Sequence, residues 1–237
     1  MALKNISLVS KSFEISYILQ NNTKNKWALF LHGWGANKEL MQNAFKNTFR
    51  EYNHLYLDLP GFGNSSNDYV LDSKDYCKIA QAFLKTLNIT PSVIIGHSFG
   101  GKIATLLNPN KLVLLSSAGI IKKKSLKVKV KIKLAKIAKF FHIKTKIFRT
   151  KDADNLAENM YETLKIVVNE DFSEIFSKFS NKAFIFWGDN DETTPLYMAE
   201  TIESLIKDSK LYVLKGNHFF FLNNADFIDR ITNGNNK

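Results

Sequence analysis

Ser92-Val93-Ile94-Ile95-Gly96-His97-Ser98-Phe99-Gly100-Gly101-Lys102-Ile103-Ala104 changes character twice in a short span. Val93 to Ile95 are β-branched and apolar, as in a buried strand, and Lys102 to Leu107 open a helical pattern. Between them lies Gly-X-Ser-X-Gly. A serine on a sharp strand-to-helix turn needs small neighbours, and Gly96 and Gly100 let the backbone pass without a Cβ clash. Such a turn lifts Ser98 Oγ above a sheet and aims the unsatisfied N–H groups of the following helix at any negative charge that develops there. The same pentapeptide would also suit a serine that merely caps the helix. The rest of the chain has to decide between the two.

The chain has 237 residues, 45% apolar and 23% charged, which suits one globular domain large enough for a substantial core and an insertion. Met1 to Lys11 contain no long apolar stretch, so no signal peptide is expected. No apolar run approaches the roughly 18 residues needed to span a bilayer. Cys77 is the only cysteine, which rules out an internal disulfide and suits a reducing compartment. A cytoplasmic location is therefore expected. Cys77 sits in a helical pattern without a neighbouring histidine, which argues against a thiol nucleophile. The net charge of +11 is concentrated, because residues 122–151 hold 13 Lys/Arg and no acid. The remainder carries 20 basic and 22 acidic residues.

Strands and helices alternate along most of the chain. Ile6 to Val9 and Phe13 to Leu19 form an expected hairpin, and Lys26 to Leu31 a continuous apolar strand ending in His32-Gly33-Trp34-Gly35. Asn37 is placed to cap a helix running to Arg50. His54 to Asp58 is the next strand, stopped by Leu59-Pro60-Gly61-Phe62-Gly63, and Asp72 or Ser73 opens a helix toward Leu87. The Ser98 unit, the strand Lys111 to Ser116, about sixty residues of helical character, and the strand Lys182 to Gly188 follow. A helix from Pro195 to Ile206, the strand Leu211 to Leu214 and a helix from Asn224 to Ile231 close the chain. Apolar strands without period-two alternation imply a mostly parallel sheet covered by helices on both faces. Ligands bind such sheets at the carboxyl ends of the strands, where His32, Asp58, Ser98, Ser116 and Asp189 or Asp191 all fall.

With these motifs in order, the chain resembles the α/β-hydrolase-fold serine hydrolases over nearly its whole length. His32-Gly33-Trp34-Gly35 is similar to the family's oxyanion loop, Asp58 to Ser65 to its next loop, and Gly96 to Gly101 to its nucleophile elbow. Gly188-Asp189-Asn190-Asp191 resembles its acid segment, and Gly216-Asn217-His218 its histidine segment. The resemblance implies an α/β-hydrolase fold with an inserted helical cap and a triad of Ser98, His218 and Asp191. Asp189 is the runner-up for the acid. The implied oxyanion donors are the backbone N–H groups of Trp34 and Phe99. His32 is expected to order the oxyanion loop, His97 to lie tied beside the elbow, and His54 and His142 to be structural. Asp58 is expected to shape its loop. A serine at the elbow argues against epoxide hydrolases and haloalkane dehalogenases, relatives with an aspartate there. The helix after Ser98 is shorter than in many relatives. No Cys/His cluster has metal-binding spacing and no Gly-X-Gly-X-X-Gly follows the first strand, so neither metal nor dinucleotide cofactor is expected.

The expected core is residues 1–119 and 182–237, with residues 120–181 as a basic cap. Leu126, Val130, Leu134, Ile137 and Phe141 recur at helical spacing among lysines. Glu162, Glu170, Asp171 and Glu174 are candidates to pair with cap lysines. A basic face of this kind can be simply solvated, or can meet an anionic substrate, an acidic carrier protein or an anionic membrane surface. Nucleic acid is the weakest fit, since no matching motif or stacking platform accompanies the charge. The implied activity is hydrolysis of a carboxylic ester or thioester, free or carrier-bound, through an acyl-enzyme. The resemblance extends to small lid-bearing esterases, among them the carrier-protein methyl ester esterases of biotin synthesis. Carbon–carbon bond hydrolysis, acyl transfer on the same triad, and a ligand receptor without turnover remain as alternatives.

Overall fold

The computed structural model describes residues 2–8, 10–21, 24–121 and 157–234. Among them eight strands form one sheet: β1 (Ala2–Leu8), β2 (Lys11–Gln20), β3 (Trp27–Leu31), β4 (Asn53–Leu57), β5 (Pro91–His97), β6 (Lys111–Leu115), β7 (Lys182–Gly188) and β8 (Ser209–Leu214). The spatial order is β1-β2-β4-β3-β5-β6-β7-β8. β1 and β2 are an antiparallel hairpin, with Leu8 opposite Lys11, and β2 meets β4 antiparallel. Every later pair is parallel. The chain winds outward from β3 to β4, then returns across β3 to lay down β5. The carboxyl ends of β3 and β5 therefore flank the switch point of the sheet, where a crevice opens.

Alternate residues of each central strand face opposite sides, and both sides are apolar. Leu29, Leu31, Leu55, Leu57, Ile94, Leu112 and Leu114 pack against α2 (Ser73–Thr86), α3 (Phe99–Leu106) and α6 (Tyr197–Leu205). Ala28, Phe30, Tyr56, Val93, Ile95, Val113 and Leu115 pack against α1 (Lys38–Phe45) and α7 (Ala225–Asn233). This two-sided burial explains why the strands lack polar alternation. α2 starts with a reciprocal capping box: Asp75 N–H donates to Asp72 Oδ1 at 2.8 Å, and Asp72 N–H to Asp75 Oδ2 at 3.3 Å.

α1 ends at Phe45, short of the expected Arg50. Phe49 adopts φ +48°, with its N–H donating to Asp229 Oδ2 at 2.8 Å and its carbonyl 3.0 Å from His54 Nε2. Partners distant in sequence thus terminate the helix against local propensity. The later part of the insertion is helical, as α4 (Glu158–Val167) and α5 (Ser173–Lys178). Met160, Val167, Phe172 and Phe176 join the same apolar cluster as the central strands, so these helices are continuous with the core. The basic run and its apolar stripe from Leu126 to Phe141, with His142, lie outside the described residues. No helix among the described residues is long and apolar enough to cross a membrane.

Candidate active site

Ser98 follows β5 directly and sits at φ +50°, ψ −113°, a conformation that a non-glycine residue keeps only when its surroundings enforce it. Here Ser98 N–H donates to Leu115 O, and Ser98 O accepts from Gly101 N–H and Ala118 N–H, each at 3.0 Å. The glycines around it are sterically obligatory. A Cβ on Gly96 would stand 2.5 Å from Gly100 O, and one on Gly100 2.5 Å from His32 O. α3 consequently starts flush against β5 and the end of β3, leaving Ser98 half-buried at the crevice.

The loops after β7 and β8 bring the other polar groups together. His218 Nδ1 lies 2.8 Å from Asp191 Oδ2. Asp191 Oδ1 accepts the N–H groups of Thr193 and Thr194, both at 2.9 Å, and Thr194 Oγ1 stands 2.9 Å from Oδ2. The Ser116 hydroxyl is buried close by, outside hydrogen-bond geometry. Burial alone would raise the Asp191 pKa, but the His218 ring, the nearby Ser116 hydroxyl and the Thr194 turn outweigh it and bring it to about 2. The carboxylate is therefore ionised and fixed, and an imidazole held by it presents Nε2 outward. Trp187, fully buried, donates from Nε1 to Thr194 O at 2.6 Å and anchors this loop to the core. Asp189 is exposed; its Oδ1 accepts Gly216 N–H at 3.0 Å and braces the two loops instead of facing His218.

The loop after β3 approaches from the other side. His32 is fully buried, with Nδ1 2.7 Å from Gly33 O and Nε2 accepting Leu59 N–H at 3.0 Å. The latter bond requires a bare Nε2, so Nδ1 carries the proton and donates to Gly33 O. Burial lowers its pKa and keeps that ring neutral. A trans peptide sets its C=O and N–H antiparallel, so drawing Gly33 O toward His32 turns Trp34 N–H the opposite way. Phe99 N–H is the first of α3 and has no intrahelical acceptor. The two expected oxyanion donors thus belong to the two backbone segments that flank Ser98. Trp34 packs edge-on to Phe62 and Phe99, with ring centres 4.8 and 5.6 Å apart, giving this side of the crevice an aromatic wall.

Several neighbours carried no clear signal in the sequence. Lys38 looks like a surface residue of α1, yet its Nζ is fully buried and 2.6 Å from Asp58 Oδ2. Asp58 also accepts Lys38 N–H at 2.7 Å and Asn64 N–H at 2.9 Å, tying the loops after β3 and β4 together. Lys102, within α3, is buried, bonded to Val167 O at 2.7 Å and paired with Glu170, which also takes the N–H of Ser73 at 2.9 Å. Among the described residues Glu170 thus joins α3 to the start of α2, whereas Glu162 pairs with Lys165 and Glu174 with Lys178. Asp171 accepts from Ser173 N–H at 2.9 Å. His54 is buried between Tyr56 and Phe49, and burial pushes the Cys77 thiol up to about 11. Among the described residues no group of three or more His, Cys, Asp or Glu is arranged to hold a metal. A cavity of about 430 Å³ lined by Asn88, Pro91 and Asn108 lies at the start of β5, the opposite end from Ser98.

A model of the alpha/beta hydrolase family matches residues 28–230. The uncharacterized hydrolase YugF of Bacillus subtilis is 24% identical, with the match covering 84% of this chain and 85% of that protein. A 2-succinyl-6-hydroxy-2,4-cyclohexadiene-1-carboxylate synthase of Citrobacter koseri is 32% identical over 80 residues. That match covers 34% of this chain and spans only 31% of the synthase's length. An esterase structure from Exiguobacterium antarcticum superposes with a TM-score of 0.73 at 20% identity, covering 97% of this chain and 98% of that one.

Proposed function

The chain belongs to the alpha/beta hydrolase family, and within it we propose a serine hydrolase that cleaves a carboxylic ester or thioester through Ser98, His218 and Asp191. Ser98 Oγ attacks the acyl carbon while His218 Nε2 takes its proton. Asp191 holds the His218 Nδ1–H and stabilises the imidazolium. The tetrahedral oxyanion accepts from Phe99 N–H and Trp34 N–H. The imidazolium then protonates the leaving alcohol or thiol, and water activated by the same imidazole releases the acid from the acyl-enzyme. The observation that supports this best is the 2.8 Å His218–Asp191 contact, on a loop bonded to the residue preceding the strained Ser98.

A fluorophosphonate probe combined with p-nitrophenyl esters tests the reading. Ser98→Ala is expected to abolish labelling, and Ser98→Ala or His218→Ala to cut turnover about 10³-fold or more. Turnover by purified Ser98→Ala within tenfold of wild type would remove the serine from the mechanism. A second reading, a reaction other than simple ester hydrolysis at the same residues, draws on the match to the synthase. It predicts Ser98 labelling without turnover of any simple ester.

For the substrate, the 13 Lys/Arg of residues 122–151 support an anionic or carrier-bound acyl group. Attraction at an exposed surface is screened over about 8 Å at physiological salt. With an anionic ester, kcat/KM should fall steeply as salt rises, and Lys127→Gln, Lys131→Gln and Lys136→Gln together should flatten that fall. Equal salt responses for charged and neutral esters would leave the lysines as a solvated face.

A further inference from the structure

His97, which precedes Ser98, is 1% exposed although it borders the crevice. Its Nε2 lies 3.0 Å from the carbonyl oxygen of His218. A carbonyl can only accept, so Nε2 carries the proton and Nδ1 is bare. Burial, reinforced by His218, pushes the ring's pKa down to about 3, so this neutral tautomer is the working form. Nδ1 is fully buried and has no hydrogen-bond partner among the described residues, a costly state for an acceptor.

The cost has a geometric counterpart at Gly33. A Cβ there would come 2.9 Å from His97 Nδ1, 3.2 Å from His97 Cε1 and 3.1 Å from Ser98 Cβ. Gly33 instead presents a Cα–H along that line, a weak donor toward the bare nitrogen. On its face the ring packs against His218, Phe219 and Phe221, with centres 4.7, 5.3 and 4.8 Å apart. One imidazole therefore separates the oxyanion loop from the histidine loop, directly below the serine.

We infer that His97 is a positioning residue, whose Nε2–H fixes the backbone of His218 and whose opposite edge sets how closely the Gly33 loop approaches Ser98. This inference rests on the proposed roles of Ser98 and His218. A donor at Nε2 matters because the base must sit correctly relative to the nucleophile, and a misplacement of about 1 Å can cost about 100-fold.

The test separates donor height from ring packing. In His97→Gln the terminal amide reaches the level of Nε2. In His97→Asn it stops near the level of Nδ1, and His97→Phe fills the space without a donor. The rate of fluorophosphonate labelling at Ser98, kcat and KM for p-nitrophenyl butyrate, and thermal midpoints are measured for all three. His97→Gln should retain kcat and labelling within about fivefold of wild type, with His97→Asn and His97→Phe at least tenfold below it and KM little changed. Should His97→Phe fail to fold, the Gln-to-Asn ratio still decides, since both keep an amide. Equal impairment of Gln and Asn, or all folded variants within twofold of wild type, overturns the positioning role while leaving Ser98 as nucleophile. Absence of wild-type labelling at Ser98 overturns the proposed function itself and this inference with it.

Discussion

Asp58 follows β4 and Asp191 follows β7, and both carboxylates are almost fully shielded from water. Each meets a basic side chain and backbone N–H groups. Asp58 meets Lys38, whose side chain is itself fully buried and also pairs with Glu39 at 2.8 Å, and it accepts Lys38 N–H and Asn64 N–H as well. That arrangement is closed, because its charges have no route to a reacting group. Asp191 meets His218, whose side chain is 12% exposed and whose second nitrogen stays available. The same residue type at equivalent strand ends thus ties loops together in one case and, in the proposed mechanism, directs a proton carrier in the other. What separates them is whether the partner's side chain is wholly enclosed, as Lys38 is, or partly open at the crevice, as His218 is.

The strongest attempt to break this contrast is Asp191→Asn. The amide leaves packing intact but no longer holds the working imidazole tautomer, so ester turnover should fall about 10³- to 10⁴-fold with folding retained. Stability carries a second readout. Wild type should lose stability as pH drops from 3.8 toward about 2, because the unfolded chain takes up this proton before the folded one does. Asp191→Asn should lack that part of the slope, and chemical denaturation across the window measures it.

Asp58→Ala should do the reverse. It leaves the buried Lys38 with Glu39, 2.8 Å away, as its remaining carboxylate, so unfolding free energy should drop by at most about 3–5 kcal/mol while the folded fraction keeps kcat within about tenfold. A stable Asp58→Ala protein with no turnover would erase the distinction between the two aspartates. The smallest effect belongs to Asp189→Asn, exposed and still able to accept from Gly216 N–H. Its stability should stay within about 0.5 kcal/mol of wild type and its turnover within about threefold. A larger loss than Asp191→Asn would transfer the acid role to Asp189.

The strand ends were legible because buried parallel strands are short apolar runs that stop at glycine, histidine or aspartate, and the resemblance then ordered those stops into a site. His32 as a loop-ordering residue came with the resemblance of His32-Gly33-Trp34-Gly35 to an oxyanion loop. Lys38 and Lys102 were not legible. A lysine in an amphipathic helix is ordinarily solvated, and the buried ion pairs with Asp58 and Glu170, 20 and 68 residues away in sequence, are what local pattern could not show. The early end of α1 and the 3₁₀ turn Phe220–Asn223 were hidden for a related reason. Both are imposed by tertiary partners, whereas periodicity reports only what a segment prefers alone. Trp187 was legible as a core residue, but its hold on Thr194 depends on a turn whose shape no local pattern encodes.

The left-handed backbone of Ser98 sets selection for endurance against selection for turnover. Glycine adopts that φ without penalty, so Ser98→Gly would relieve about 1–3 kcal/mol of stored strain and raise the melting temperature of a protein that, under the proposed mechanism, can no longer form an acyl-enzyme. A library screened on heat resistance alone has a standing reason to discard this side chain. Each generation that keeps Ser98 gives up some thermal margin for turnover, and the bonds from Leu115, Gly101 and Ala118 are what keep that sacrifice small enough to inherit.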